Sequence, residues 1–262
     1  MTKNQIKAVF FDVDGTLVSF KTHKVPESTE KAIELLKSKG IKVIISTGRS
    51  INHLDHIRYL DFDGFITFNA GYCVDKNNEL LLKSGLVSED VESVLQEAQN
   101  TSLSFSFMSE KEVLIHNVTA EIQSVYAQLN LPVPPVGNFN DFDSSSVLQA
   151  NIFIAEEEET AFMQRVMPNS LATRWSPAFA DVNPKGQSKK NGVKIFCKKL
   201  NIDPRQTISF GDGGNDVEML KYTGIGIAME NATKETKRAA DYVTDHVDED
   251  GIWNALKMSN II

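Results

Sequence analysis

Short, nearly unbroken apolar segments recur along this chain, each followed by a stretch of helical periodicity, and this alternation restricts the possible folds sharply. Ile6 to Val13 reads as a first buried strand. A helix is expected from about Pro26 to Lys39, with Ala32, Ile33, Leu35 and Leu36 on one face and Gly40 as its stop. Ile41 to Ile45 and Phe62 to Phe68 read as further strands, and Ser46-Thr47-Gly48-Arg49 opens another helix between them. The C-terminal part repeats the rhythm. Helices are expected at Ser188 to Leu200, Val217 to Tyr222 and Thr233 to Ala240, with strands at Gln206 to Phe210, Gly224 to Met229 and Asp241 to Thr244. Strands that lack a polar alternation are buried on both faces, so an α/β fold with a doubly wound, Rossmann-like parallel sheet is predicted.

The middle of the chain has a different texture. Val91 to Ala98 is amphipathic, and Leu103 to Phe107 with Val113 to His116 reads as a hairpin. Pro132 to Ser146 is a polar linker, Asn151 to Ile154 a strand, and Glu156 to Glu159 an acidic helix start. These features predict two domains: a core made of residues 1–82 and 185–262, and a separate α/β domain inserted at 83–184.

The chain of 262 residues carries 35 acidic and 27 basic side chains, a formal net charge of -8. That balance argues against a nucleic-acid partner, which calls for a basic surface to displace counterions. The apolar run Ala8-Val9-Phe10-Phe11 is stopped at once by Asp12, so neither a signal peptide nor a membrane span is read there. Cys73 and Cys197 fit no metal or redox spacing and are expected as reduced thiols. The expectation is a cytoplasmic protein with no membrane and no obligatory protein partner.

The chemistry sits at the strand ends. Asp12-Val13-Asp14-Gly15-Thr16 closes the first strand, and residues two apart on a strand project to the same side. Two carboxylates roughly 7 Å apart along the backbone repel unless a cation or a proton intervenes. An Asp-Gly turn is also common in its own right. Gly211-Asp212-Gly213-Gly214-Asn215-Asp216 follows a later strand, where the glycines admit a ligand and the next helix start offers N–H groups to an anion. Asn215 or Asp216 could simply cap that helix, but capping does not account for Asp212. Three converging carboxylates suit Mg²⁺. Thr47-Gly48 after the second strand and Lys189 in Gly186-Gln187-Ser188-Lys189 gain weight only as part of this ensemble.

Together, in this order, these four pieces closely resemble the haloacid dehalogenase superfamily. The position of the insertion, between Asn69 and Lys189, resembles that of the Cof-like branch, which implies that residues 83–184 are an inserted cap domain that closes over the core and selects substrates. The resemblance implies Asp12 as the nucleophile that attacks phosphorus and Asp14 as the acid and base. It implies Mg²⁺ held by Asp12, the Asp14 backbone carbonyl and Asp212. It also implies phosphate bound by the Val13 backbone, Thr47, Gly48, Lys189 and Asn215, with Asp216 in support. The activity implied is a Mg²⁺-dependent phosphatase for small phosphorylated metabolites, sugar phosphates foremost. A phosphomutase of similar layout and a phosphate-binding regulator without turnover are the competing readings.

Three positions depart from the family pattern. Glu230 and Lys190 stand where glycine is usual, and Asn69-Ala70-Gly71 permutes a common Asn-Gly-Ala. Lys185 and Lys190 are rivals to Lys189, which matches the spacing. His53 and His56 are read as structural, Trp175 and Phe179 as cap core, and Arg174 as a possible substrate contact.

Overall fold

A computed structural model describes residues 6–128, 131–140 and 142–262, and the side chains at 175 and 176 lie outside its description, so the expectation for the Trp175 ring does too. The chain divides into two compact units, residues 1–82 with 188–262 and residues 83–187.

The first unit opens with β1 (Ala8–Phe11), α1 (Glu27–Ser38), β2 (Lys42–Ser46), a 3-10 segment (Ile51–Leu60), β3 (Gly64–Thr67) and the edge strands β4 (Tyr72–Asp75) and β5 (Leu80–Lys83). The second unit contains α2 (Ser88–Asn100), β6 (Ser104–Met108), β7 (Val113–His116), α3 (Ala120–Gln128), β8 (Gln149–Phe153), α4 (Glu156–Val166), β9 (Ser170–Ser176) and β10 (Phe179–Pro184). The chain then returns to the first unit with α5 (Lys189–Leu200), β11 (Thr207–Gly211), α6 (Val217–Tyr222), β12 (Ile225–Ala228), α7 (Lys234–Ala239), β13 (Tyr242–Val243) and α8 (Gly251–Met258).

The sheet of the first unit runs β13-β12-β11-β1-β2-β3-β4-β5. Its first six strands are parallel, and β4 joins β3 antiparallel. The expected parallel sheet is therefore extended by a hairpin edge that was not foreseen. Both faces of the sheet are covered. Val9 and Phe11 of β1 pack with Ala32, Ile33 and Leu36 of α1 and with Ile252, Ala255 and Leu256 of α8. The alternate residues Ala8 and Phe10 pack with Val193 and Phe196 of α5 and Met219 of α6. Period-two alternation thus feeds two cores, which is why the strands read as continuous apolar runs. Leu35 corrects the expected α1 face: it is exposed, and Thr29 is buried in that stripe instead.

The second unit has an antiparallel sheet in the order β7-β6-β8-β10-β9. Phe105, Phe107, Ala150, Ile152, Ala180 and Val182 form its core with Val91 and Val94 of α2 and Phe162 and Val166 of α4. Among the described residues no helix is long and apolar enough to cross a membrane. Cys73 and Cys197 are both free and buried, and burial pushes their thiols up to about 12 and about 11.

Candidate active site

β1 and β11 lie side by side and in parallel, so the residues after them emerge at the same sheet edge. That edge is where open α/β sheets bind their ligands. Asp12 continues the ladder through its N–H to the Phe210 carbonyl at 3.0 Å. Immediately beyond it the chain turns tightly. The Val13 carbonyl accepts from Leu17 at 3.0 Å and Val18 at 2.8 Å, and Gly15 donates to Val18 at 2.9 Å.

Two glycines are required by close approach. Gly15 has φ +77°, and a Cβ there would lie 2.3 Å from Asp212 Oδ2. A Cβ on Gly211 would lie 2.4 Å from the Asp216 carboxyl carbon.

Lys189, at the first turn of α5, is the centre of the charge arrangement. Its side chain is wholly buried, with Nζ 2.6 Å from Asp12 Oδ1 and 2.7 Å from Asp216 Oδ1. The other Asp216 oxygen accepts from the Asp212 and Gly213 N–H groups at 3.0 and 2.9 Å. Asp216 therefore closes the turn before it and anchors the lysine; contrary to the capping expectation, its side chain makes no cap bond to α6. Asp212 accepts weakly from Thr16 Oγ1 and Asn231 Nδ2, each at 3.3 Å. Asn231 ties this loop to the first motif by donating to the Gly15 carbonyl at 2.7 Å.

The electrostatics follow from crowding. Burial, then repulsion by Asp216, pushes Asp12 up to about 7 against the pull of Lys189. Burial, then Asp12 and Asp216, holds Asp212 well above the usual carboxylate range. Burial alone would depress the Lys189 ammonium, but its two carboxylate partners more than offset that and hold it above the ordinary lysine value. Asp12, Asp212 and Asp216 can each bring an oxygen within 4.8 Å of the others. Hard oxygen donors carrying more negative charge than one ammonium balances fit a divalent cation such as Mg²⁺. Bound there, it would supply positive charge to offset the crowding of these carboxylates. The expected metal set took the backbone carbonyl of Asp14, which leaves its carboxylate free for another partner. That carboxylate is gripped by Arg49, which donates from Nε to Oδ2 at 2.7 Å and from Nη2 to Oδ1 at 2.6 Å.

The remaining candidates form the flank of the cluster. Asn215 Nδ2 donates to Asn69 Oδ1 at 3.0 Å. Asn69 donates its N–H to the Thr47 carbonyl at 3.0 Å, and Thr47 Oγ1 accepts from the Arg49 N–H at 3.1 Å. Phe68, Asn69 and Ala70 all have positive φ, at 52°, 51° and 77°. For a bulky Phe this is a strained conformation, held here by the surrounding turn.

Several flagged residues find ordinary partners. Lys190 pairs with Glu218 at 2.9 Å, and Glu230 with Lys237 at 3.5 Å. Lys185 belongs to the second unit and donates to the Pro168 carbonyl. Arg174 is held by Glu159 and the Ile154 carbonyl. Phe179 is buried beside Phe153, ring centroids 5.6 Å apart. His53 and His56 lie on the 3-10 segment after β2, where burial and then the Arg49 charge keep both below the usual histidine value. Arg49, Asn69 and Asn231 went unassigned in the sequence reading. Their partners lie 35, 146 and 216 residues away, and local spacing carries no such signal.

Comparison with known proteins decides the family. The family model described as haloacid dehalogenase-like hydrolase matches residues 9–256. The chain belongs to the haloacid dehalogenase-like hydrolases. Within them it is a Cof-like member, and an enzyme of the phosphatase type. It is 33% identical over 254 residues to the Bacillus subtilis (strain 168) protein named "Putative phosphatase YkrA", covering 96% of each chain. Among solved structures, the phosphatase BT1666 from Bacteroides thetaiotaomicron superposes with a TM-score of 0.91 at 34% identity, over 100% of this chain and 97% of that one. The subclass IIB sugar phosphatase BT4131 gives 0.89 at 40% identity, over 98% of this chain and 100% of the other.

Proposed function

We propose that this haloacid dehalogenase-like hydrolase is a Mg²⁺-dependent phosphatase that cleaves phosphate monoesters of small metabolites, sugar phosphates foremost, through a phospho-aspartate on Asp12. The observation that carries the reading is the buried Lys189 ammonium, 2.6 Å from Asp12 and 2.7 Å from Asp216, beside the Asp212 carboxylate. A structural ion pair needs one partner for the lysine. Three carboxylates crowded around one ammonium, with Asp12 and Asp212 pushed up by burial and mutual repulsion, are costly, and such clusters are kept where chemistry uses them.

In this reading an Asp12 oxygen attacks phosphorus, the ester P–O bond breaks, and Asp14 gives its proton to the departing alkoxide. Water then attacks the phosphorus of the acyl phosphate and yields its proton to Asp14. The P–O bond to Asp12 breaks, and phosphate leaves. Lys189 holds Asp12 in line and compensates charge that builds on the phosphoryl oxygens. Thr47, Gly48, Asn215 and the Val13 N–H are assigned to those oxygens, and Asp216 fixes Lys189. Asp12, Asp212 and the Asp14 carbonyl would hold Mg²⁺, which supplies a counter-charge for the transferring group. The inserted residues 83–184 are assigned to substrate selection, a role the printed description of BT4131 as a sugar phosphatase makes testable on hexose and pentose phosphates.

The test is release of inorganic phosphate from a panel of sugar phosphates, nucleotides, cofactor phosphates and phosphopeptides with Mg²⁺. Turnover of sugar phosphates without a bisphosphorylated activator is expected. A requirement for such an activator would replace the hydrolase by a mutase, and no release from any member would leave the binding regulator.

A further inference from the structure

Arg49 does more than open the segment after β2. Its two bonds to Asp14, at 2.7 and 2.6 Å, form the planar fork that fixes a carboxylate in both direction and tilt. The arm itself is tethered. Nη1 reaches the His53 carbonyl at 3.4 Å, the Arg49 N–H donates to Thr47 Oγ1 at 3.1 Å, and its carbonyl accepts from Phe68 at 3.1 Å. The guanidinium is 11% exposed and the Asp14 carboxylate 20%, so neither end is loosened by bulk water. Asp14 meanwhile adds to the negative field at both Asp12 and Asp212. An untethered Asp14 side chain would swing away from that field.

We infer that Arg49 is a positioning residue for Asp14: it braces the acid–base carboxylate against the acidic cluster and aims it at the ester oxygen. This rests on the reading of Asp14 as proton donor given above. While Asp14 carries its proton, the protonated oxygen gives up one Arg49 bond, and donation restores it. The other oxygen keeps its N–H partner, so the side chain stays aimed through the transfer. A fork with two N–H donors permits this, and a lysine ammonium does not reproduce it.

The test compares Arg49→Ala, Arg49→Lys, Asp14→Asn and the double variant Asp14→Asn/Arg49→Ala in the full chain with Mg²⁺. Glucose 6-phosphate and p-nitrophenyl phosphate serve as substrates. The first has a leaving alkoxide that needs a proton; the second does not. Arg49→Ala is expected to lower kcat/KM tenfold or more for the sugar phosphate and less for the aryl phosphate, with Arg49→Lys recovering part of the loss. In the Asp14→Asn background, Arg49→Ala is expected to cost little more, because residues acting as one unit are not additive. Equal losses on both substrates, or full additivity in the double variant, would overturn the inference and make Arg49 a direct phosphate ligand or a fold element. Should Arg49→Ala prove poorly folded, Arg49→Lys keeps a positive charge beside Asp14 but not the fork, and the comparison of the two substrates is read on that variant. Near-normal sugar phosphate turnover by Asp14→Asn would instead bring down the acid–base reading itself.

Discussion

Lys189 and Asp216 are both fully buried, and their charged ends lie 2.7 Å apart, with the Asp12 carboxylate 2.6 Å from the same ammonium. One cation thus serves an anion that closes a turn and the proposed nucleophile. Substituting Lys189→Met keeps most of the volume but leaves two buried carboxylates without their partner. It is expected to abolish turnover and to cost about 3 kcal/mol in denaturant unfolding. Wild-type stability in that variant would show that the pair contributes nothing net to the fold.

Asp12→Asn separates chemistry from folding. An amide cannot form an acyl phosphate, so turnover is expected to fall by on the order of 10³-fold or more. The Asp12 carboxyl is pushed up to about 7, which means that its charged form is disfavoured in the folded protein. A neutral isostere relieves that strain. In metal-free buffer at pH 8, Asp12→Asn is therefore expected to melt at or above the wild-type temperature, as followed by circular dichroism.

The same shift sets a pH dependence. A carboxyl whose folded value lies above its unfolded one binds more protons when folded, so its contribution is favourable at low pH. That contribution is lost as pH rises from the ordinary carboxylate range through about 7. Mg²⁺ competes with those protons. Thermal melts should show a larger Mg²⁺-induced rise in Tm at pH 8 than at pH 5.5, and chelator should remove activity. An equal rise at both values would place the metal elsewhere.

Glu230 stands where its family usually has glycine, yet its side chain is 60% exposed and pairs with Lys237 at 3.5 Å. Surface pairs of this kind contribute little. Glu230→Gln is expected to change kcat/KM less than twofold and stability by under about 0.5 kcal/mol, measured by initial rates and denaturant titration.

How much of this was legible before the structure depended on the range over which each signal acts. The strand tips at Asp12 and Asp212 stand out because a buried apolar run ending in a carboxylate is a local pattern. The same locality made the β1, β2, β3, β11 and β12 segments readable. The β4–β5 edge was missed because each strand carries an apolar run of only three residues, Tyr72–Val74 and Leu80–Leu82, although Asn78, at φ 61°, marks the turn between them. The β9–β10 pair was missed for the opposite reason: Thr173, Asp181 and Asn183 break its apolar character. Helix α8 had a usable signal in Ile252, Ala255 and Leu256, spaced three and four apart. The Arg49 fork had none. Its acceptor lies 35 residues away on another strand end, and only the parallel pairing of β1 with β2 brings the two together.

That pairing pattern has a consequence for synthesis. β1 finds β2 soon after it leaves the ribosome, so one flank of the Phe10 and Phe11 strand is covered early. Its other flank waits for β11, and Lys189 reaches Asp12 across 177 residues of chain. Until that late segment arrives, the nascent chain exposes an apolar strand edge of the kind that aggregates. Asp12 meanwhile titrates as an ordinary solvated carboxylate. The acidic cluster therefore comes into being all at once, only when residues 189–216 join β1, and a shorter nascent chain carries Asp12 without the ammonium that holds it.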